Sequence, residues 1–160
     1  MSVVGLEVIR GVNVKSEVFN YLASAPEVNC FLSSRAQLLE KSKNSTLLVY
    51  RNSYSEIEGV TYIGGNLIPA ISSRAALLSL VDHLRSKQYK FSSIVGESRT
   101  VFDLWELISH LYSEPRAIRQ SQPLLSLRGV PKISGNPLVH PATLADLEEV
   151  VEVGIAMFTT

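Results

Sequence analysis

A chain of 160 residues that is 46% apolar and 19% charged is long enough and apolar enough for one ordinary domain plus a short extra segment, and is not a disordered polypeptide. Its fifteen basic and fifteen acidic side chains cancel, which argues against the cationic footprint that nucleic acid or an anionic membrane would need, and no apolar run is long enough to span a bilayer. The single cysteine, Cys30, excludes an internal disulfide; with no signal-peptide pattern in MSVVGLEVIRGVNVKSE, the expected location is the reducing cytoplasm.

In chain order, Val3 to Arg10 reads as a strand rich in Val and Ile. Ser16 is placed to cap a short helix through Val18, Phe19 and Leu22, and Pro26 suits the first turn of a second helix. The second helix carries Phe31, Leu32, Ala36 and Leu39 at helical spacing, with Cys30 expected as a small buried filler. Thr46 to Arg51 and Val60 to Gly65 read as strands joined by a polar loop over Asn52 to Glu58. NLIPA follows as an apolar strand, in which Pro69 deletes a ladder donor and favours an edge, a bulge or a strand end. At Gly64-Gly65-Asn66 a bulge is the expected use of glycine, in preference to a close ligand approach.

Ser72 or Ser73 should cap a helix with Leu77, Leu80, Val81 and Leu84 on one face. Phe91 to Gly96 reads as a strand, followed by a helix starting near Ser98. That helix is the best patterned in the chain: Val101, Leu104, Trp105, Ile108, Leu111 and Tyr112 recur at helical spacing until Pro115. Its Trp105 and Tyr112 are expected in the core rather than as a substrate platform. Arg116 to Leu127 should be extended, and RGVPKISGNP reads as a linker. LVHPATLADLEEVVEVGIAMF then restarts with a strand and a helix, Thr143 and Asp146 being spaced as a capping box. The element order predicts an α/β (α+β) fold around one central sheet, with a first domain over 1–128, a linker over 129–137 and the start of a second domain over 138–160.

Few residues are arranged for chemistry. His83, His110 and His140 lack metal-ligand spacing with acids or with Cys30, so no metal site is expected. The strongest local candidate is Gly96-Glu97-Ser98 at a strand-to-helix turn, where free N–H groups could meet an anion with help from Arg116 and Arg119. The candidate ligand site is therefore Gly96, Ser98, Arg116 and Arg119. Ser98 as an ordinary N-cap and Glu97 as an anion-repelling charge weigh against it.

The element order is similar to that of the GNAT acetyltransferase superfamily, a mixed central sheet flanked by helices. The run from Val139, VHPATLADLEEVVEVGIAMF, resembles the opening of a GNAT domain, with Ala142 and Asp146 in the usual pattern and His140 where arginine is common. Phe31-Leu32-Ser33-Ser34-Arg35, Gly65-Asn66-Leu67-Ile68-Pro69, Ser93-Ile94-Val95-Gly96, Leu104-Trp105 and Arg116-Ala117-Ile118-Arg119-Gln120-Ser121-Gln122-Pro123-Leu124-Leu125 together resemble a bacterial domain of unknown function that stands directly before a GNAT domain. The resemblance covers residues 28 to 160. It implies a degenerate first copy in a tandem arrangement, with acetyl-CoA used by the full-length protein and none bound by this chain.

GNAT proteins cradle the cofactor pyrophosphate in a glycine-bearing loop before a helix, because the backbone must approach the phosphates closely. The corresponding join, Ile68-Pro69-Ala70-Ile71-Ser72-Ser73-Arg74, has no glycine. The family's Asn-x-x-Ala-x-x-x-Tyr pattern, whose tyrosine protonates the departing thiolate, falls on Ser98, Val101 and Trp105, and indole has no proton to give. No catalytic or cofactor-binding residue is expected here. Chemistry is expected only from a C-terminal GNAT domain that begins at the end of this chain. The apolar face of Leu138 to Phe158 should pack on that domain or pair in a homodimer.

Overall fold

The computed structural model describes residues 5–11, 14–130 and 135–158. Val3 and Val4 of the expected first strand and residues 131–134 of the expected linker lie outside these. The chain separates into two compact units, Met1–Ser126 and Leu127–Thr160.

In the first unit the elements run β1 (Gly5–Ile9), α1 (Ser16–Leu22), α2 (Pro26–Gln37), β2 (Thr46–Arg51), β3 (Ile57–Ile63), β4 (Asn66–Ile71), α3 (Arg74–Lys87), β5 (Ser93–Ile94) and α4 (Ser98–Ile108). The strands form one sheet in the order β1-β2-β3-β4-β5. The first three pairings are antiparallel and β4 to β5 is parallel. A mixed α/β architecture with a five-stranded sheet flanked by helices is thus realised.

Alternation along the strands sorts the core into two layers. Leu47, Val49, Val60, Tyr62 and Ile68 face α1 and α2, where Val18, Leu22, Leu32 and Ala36 are buried. Leu48, Tyr50, Ile63 and Leu67 face the opposite way, onto Leu77, Leu80, Val81 and Leu84 of α3 and Leu104 and Ile108 of α4. Both faces of the central strands are covered, which is why TLLVYR reads as a continuous apolar run rather than an alternating one. Each fully buried leucine contributes about 1.5–3 kcal/mol by leaving water.

The buried polar atoms are mostly paired. The Asn29 amide donates to the Leu22 carbonyl at 3.0 Å, tying α2 to the end of α1. The Tyr62 and Ser45 hydroxyls pair at 2.7 Å. Gly64 makes that possible, because a Cβ there would lie 2.8 Å from the Tyr62 ring. Tyr50 and Thr61 are exceptions: their hydroxyls neighbour one another in the core, but neither makes a hydrogen bond of good geometry. Burial accordingly pushes the Tyr50 phenol well above its ordinary range. Tyr50→Phe is expected to be neutral or to stabilise by up to about 1 kcal/mol in urea unfolding, since it removes a desolvated, unpaired hydroxyl; a clear loss would show a partner that the structure does not.

Several expectations need correction. Cys30 is exposed, and the buried place in that turn of α2 belongs to Asn29, whose amide has a backbone partner. Lys15, not Ser16, occupies the N-cap of α1, and Glu97, not Ser98, that of α4; neither makes a side-chain cap. Gly64-Gly65 form a tight β3–β4 turn closed by the Gly64 N–H to the Asn66 carbonyl, while the irregularity in register lies at Tyr50/Arg51. The strand expected over Phe91 to Gly96 shrinks to Ser93–Ile94. Pro69 explains this: the Leu67 carbonyl accepts from Val95, so two residues on Pro69 faces the same side with no N–H to offer.

The second unit contains α5 (Leu147–Phe158). No strand forms over 138–140, because the Leu138 N–H bonds to the Asn136 side chain at 2.9 Å and the Val139 N–H to the Asn136 carbonyl at 3.0 Å, making a local turn before Pro141. The capping box is present, Asp146 accepting from the Thr143 N–H at 2.7 Å and from its hydroxyl at 2.8 Å. These bonds hold the Asp146 carboxyl below its usual range. A lowered folded-state pKa supports the helix start above the ordinary carboxylate range and is lost as pH falls through the folded value. Thr143→Ala should therefore fray the first turn, seen as faster amide exchange at Ala145 and Asp146; unchanged exchange would contradict this.

Candidate functional site

The fold opens beside two helix starts at the end of β4. Beyond Leu67 and Ile94 the strands are no longer paired, and α3 and α4 both begin close by. A cleft of roughly 360 Å³ lies there, lined by Ile71, Ser72, Ser73, Arg74 and Leu77 from the β4–α3 join and by Glu97, Arg99, Thr100 and Asp103 from the start of α4.

The local sequence dictates how the cleft is built. Ser73 is extended and caps α3, its hydroxyl accepting from the Ala76 N–H at 3.1 Å. It also donates to the Glu58 carboxylate. Ser72 reaches Glu58 twice, its N–H and hydroxyl both donating to the Glu58 carbonyl, at 2.9 and 2.8 Å. The β3 residue Glu58 thus ties down the join and sets a carboxylate at the amino end of α3, where the helix dipole favours negative charge. On α4, Thr100 donates to the Glu97 carboxylate at 2.7 Å. Two arginines and two carboxylates line the walls, so the field is mixed rather than cationic. The lining has no cysteine, histidine or tyrosine. Its hydroxyls, Ser73 and Thr100, each donate to a carboxylate, so polar recognition is within its means.

Of the expected site residues, Gly96 sits just before α4, where a Cβ would lie 3.1 Å from the Pro69 carbonyl; its glycine serves packing against β4. Ser98 is the exposed first residue of α4. Arg116 and Arg119 lie on the exposed segment after α4, and the Arg119 guanidinium donates to Gln122 at 3.4 Å. None of the four lines the cleft, whose cations are Arg74 and Arg99. Both stand in the first turns of their helices, but the sequence does not say that those two turns converge. Trp105 and Tyr112 pack against the core, Tyr112 with its ring 4.8 Å from that of Phe91. Among the described residues no cluster of three or more His, Cys, Asp or Glu could hold a metal ion, and no helix is long and apolar enough to cross a membrane.

Residues 47–150 match the family model described as "Domain of unknown function (DUF4081)". The chain belongs to this family. The DUF4081 match runs from the central strands through the cleft and into α5. Among solved structures, the ribosomal-protein-alanine N-acetyltransferase from Brucella melitensis biovar Abortus 2308 is similar at 15% identity, with a TM-score of 0.43, over 78% of this chain and 100% of that one. No curated protein matches.

Proposed function

We propose that this DUF4081 chain is the non-catalytic N-terminal module of an acetyl-CoA-dependent GNAT N-acetyltransferase. Acetyl transfer to an amine would be carried out by a following GNAT domain in the cytoplasm. The sequence resemblance supplies the enzyme class. The observation that carries the non-catalytic part is the state of the β4–α3 join. A pyrophosphate cradle needs bare backbone N–H groups at this helix start. Here the Ser73 hydroxyl takes the Ala76 N–H, and the Glu58 carboxylate stands against Ser73 with like charge to a phosphate. Trp105, at the position of the family's proton donor, is packed against the core and offers only an indole N–H.

The coding sequence downstream of Thr160 tests the accessory role directly. A strand, a glycine-bearing loop before a helix and a tyrosine in the Asn-x-x-Ala-x-x-x-Tyr pattern are the expected result; a stop codon immediately after Thr160 would overturn it. One observation favours a second reading, a small-anion sensor: Arg74 and Arg99 share a cleft with two helix starts. Calorimetric titration with inorganic phosphate distinguishes this reading, which requires saturable heat that Arg74→Ala abolishes.

A further inference from the structure

A second polar cluster lies at the opposite end of α3 from the cleft. Arg10, the residue after β1, donates through Nε to the Thr46 hydroxyl at 3.0 Å and through Nη2 to the Tyr89 hydroxyl at 3.2 Å. Tyr89 follows α3 after Gln88, whose left-handed backbone (φ 48°, ψ 52°) turns the chain back. The Tyr89 hydroxyl also meets His83 Nε2 at 3.0 Å, with the two rings stacked 5.5 Å apart. Since β1 pairs only with β2 in this sheet, the Arg10 bonds reinforce the end of an edge strand held on one side.

The two protonation states of His83 differ in what they offer the Tyr89 hydroxyl. Arginine can only donate, so the Tyr89 oxygen accepts from Arg10, and its single proton is free to go to His83 Nε2. That bond needs a neutral imidazole with its proton on Nδ1. Protonation of His83 at Nε2 would leave the Tyr89 proton without this acceptor. It would also put a cation among others: Arg10 faces the ring from the end of β1 and Lys87 from α3, while Thr46 and Tyr50 of β2 and Tyr89 itself carry no positive charge. Asp82, the nearest acid along α3, is paired with Arg85 at 3.7 Å.

We infer that His83, acting through Tyr89, is an acid-released latch on Arg10 that fastens the end of β1 to the rest of the sheet. Burial first, then Lys87 and Arg10, lower the His83 pKa. The neutral form therefore supports the folded state above the ordinary histidine range, and that support is lost as pH falls through the lowered value. The latch is independent of the cleft and of the acetyl-transfer reading.

Amide exchange of the whole chain tests it, with rates converted to protection factors so that intrinsic pH dependence is removed. Between about pH 7.5 and about pH 5, protection at Val8, Ile9 and Arg10 should fall about threefold or more, while Leu48 and Val60 in the sheet centre hold. His83→Gln, whose side-chain oxygen can accept from Tyr89 at any pH, should keep protection at β1 nearly constant over that range. Tyr89→Phe should show low protection at both pH values. Unchanged protection in the wild type, or the same acid response in Tyr89→Phe as in the wild type, would overturn the latch. Should His83→Gln not fold, the wild-type and Tyr89→Phe profiles decide the matter between them.

Discussion

Leu104→Ala is expected to cost about 2–5 kcal/mol of stability, enough to unfold a large fraction of a marginally stable domain. Leu104 is fully buried where α4 meets the sheet face shared by Leu48, Ile63 and Leu67. Those neighbours belong to strands and cannot follow the lost side chain inward, so a cavity persists. Urea unfolding should show a lower midpoint with an unchanged slope. A loss under about 1 kcal/mol would mean that α4 does not pack on the sheet as described.

The next largest effect is expected at Gly96. A Cβ there meets the Pro69 carbonyl at 3.1 Å and Val101 at 3.4 Å, and the first of these is backbone, not the tip of a flexible side chain. Gly96→Val should therefore push the start of α4 away from β4 and cost about 1–3 kcal/mol, with Gly96→Ala costing less. Because β5 holds to β4 over only two residue pairs, the loss should appear first as faster exchange at Val95, whose N–H bonds to the Leu67 carbonyl. A fully tolerated valine would show that the strand and helix are not in contact there.

Much of the architecture was legible because period and punctuation agree. The leucines of α3 recur at helical spacing behind a serine that does cap it, and Pro26 does open α2. The misreadings share a cause: side-chain identity does not say which backbone partner a group will find. Cys30 and Asn29 are neighbours, and hydropathy alone would bury the cysteine. The Leu22 carbonyl makes burial of the asparagine affordable instead. Leu138-Val139-His140 has strand composition, yet the Asn136 side chain captures the turn before any ladder can form.

The cleft illustrates the same limit at longer range. The missing glycine between Ile68 and Arg74 is visible in the sequence, and so is Pro69. Glu58 is fifteen residues from Ser73 and lies in what reads as a polar loop. Only the hairpin pairing of β3 with β4, which sets Gly59 opposite Ile71, brings its carboxylate to the head of α3. Arg116 and Arg119 were attractive for their guanidinium forks, while the arginines that do line the cleft stand in the first turns of two different helices.

The proposal that Ser73 and Glu58 occupy the head of α3 and leave no acetyl-CoA cradle there is open to direct test. Calorimetric titration of acetyl-CoA into the purified chain tests it most directly. No saturable heat is expected. Stoichiometric binding that is lost in Arg74→Ala would overturn the proposal, since the cofactor would then be seated at the start of α3.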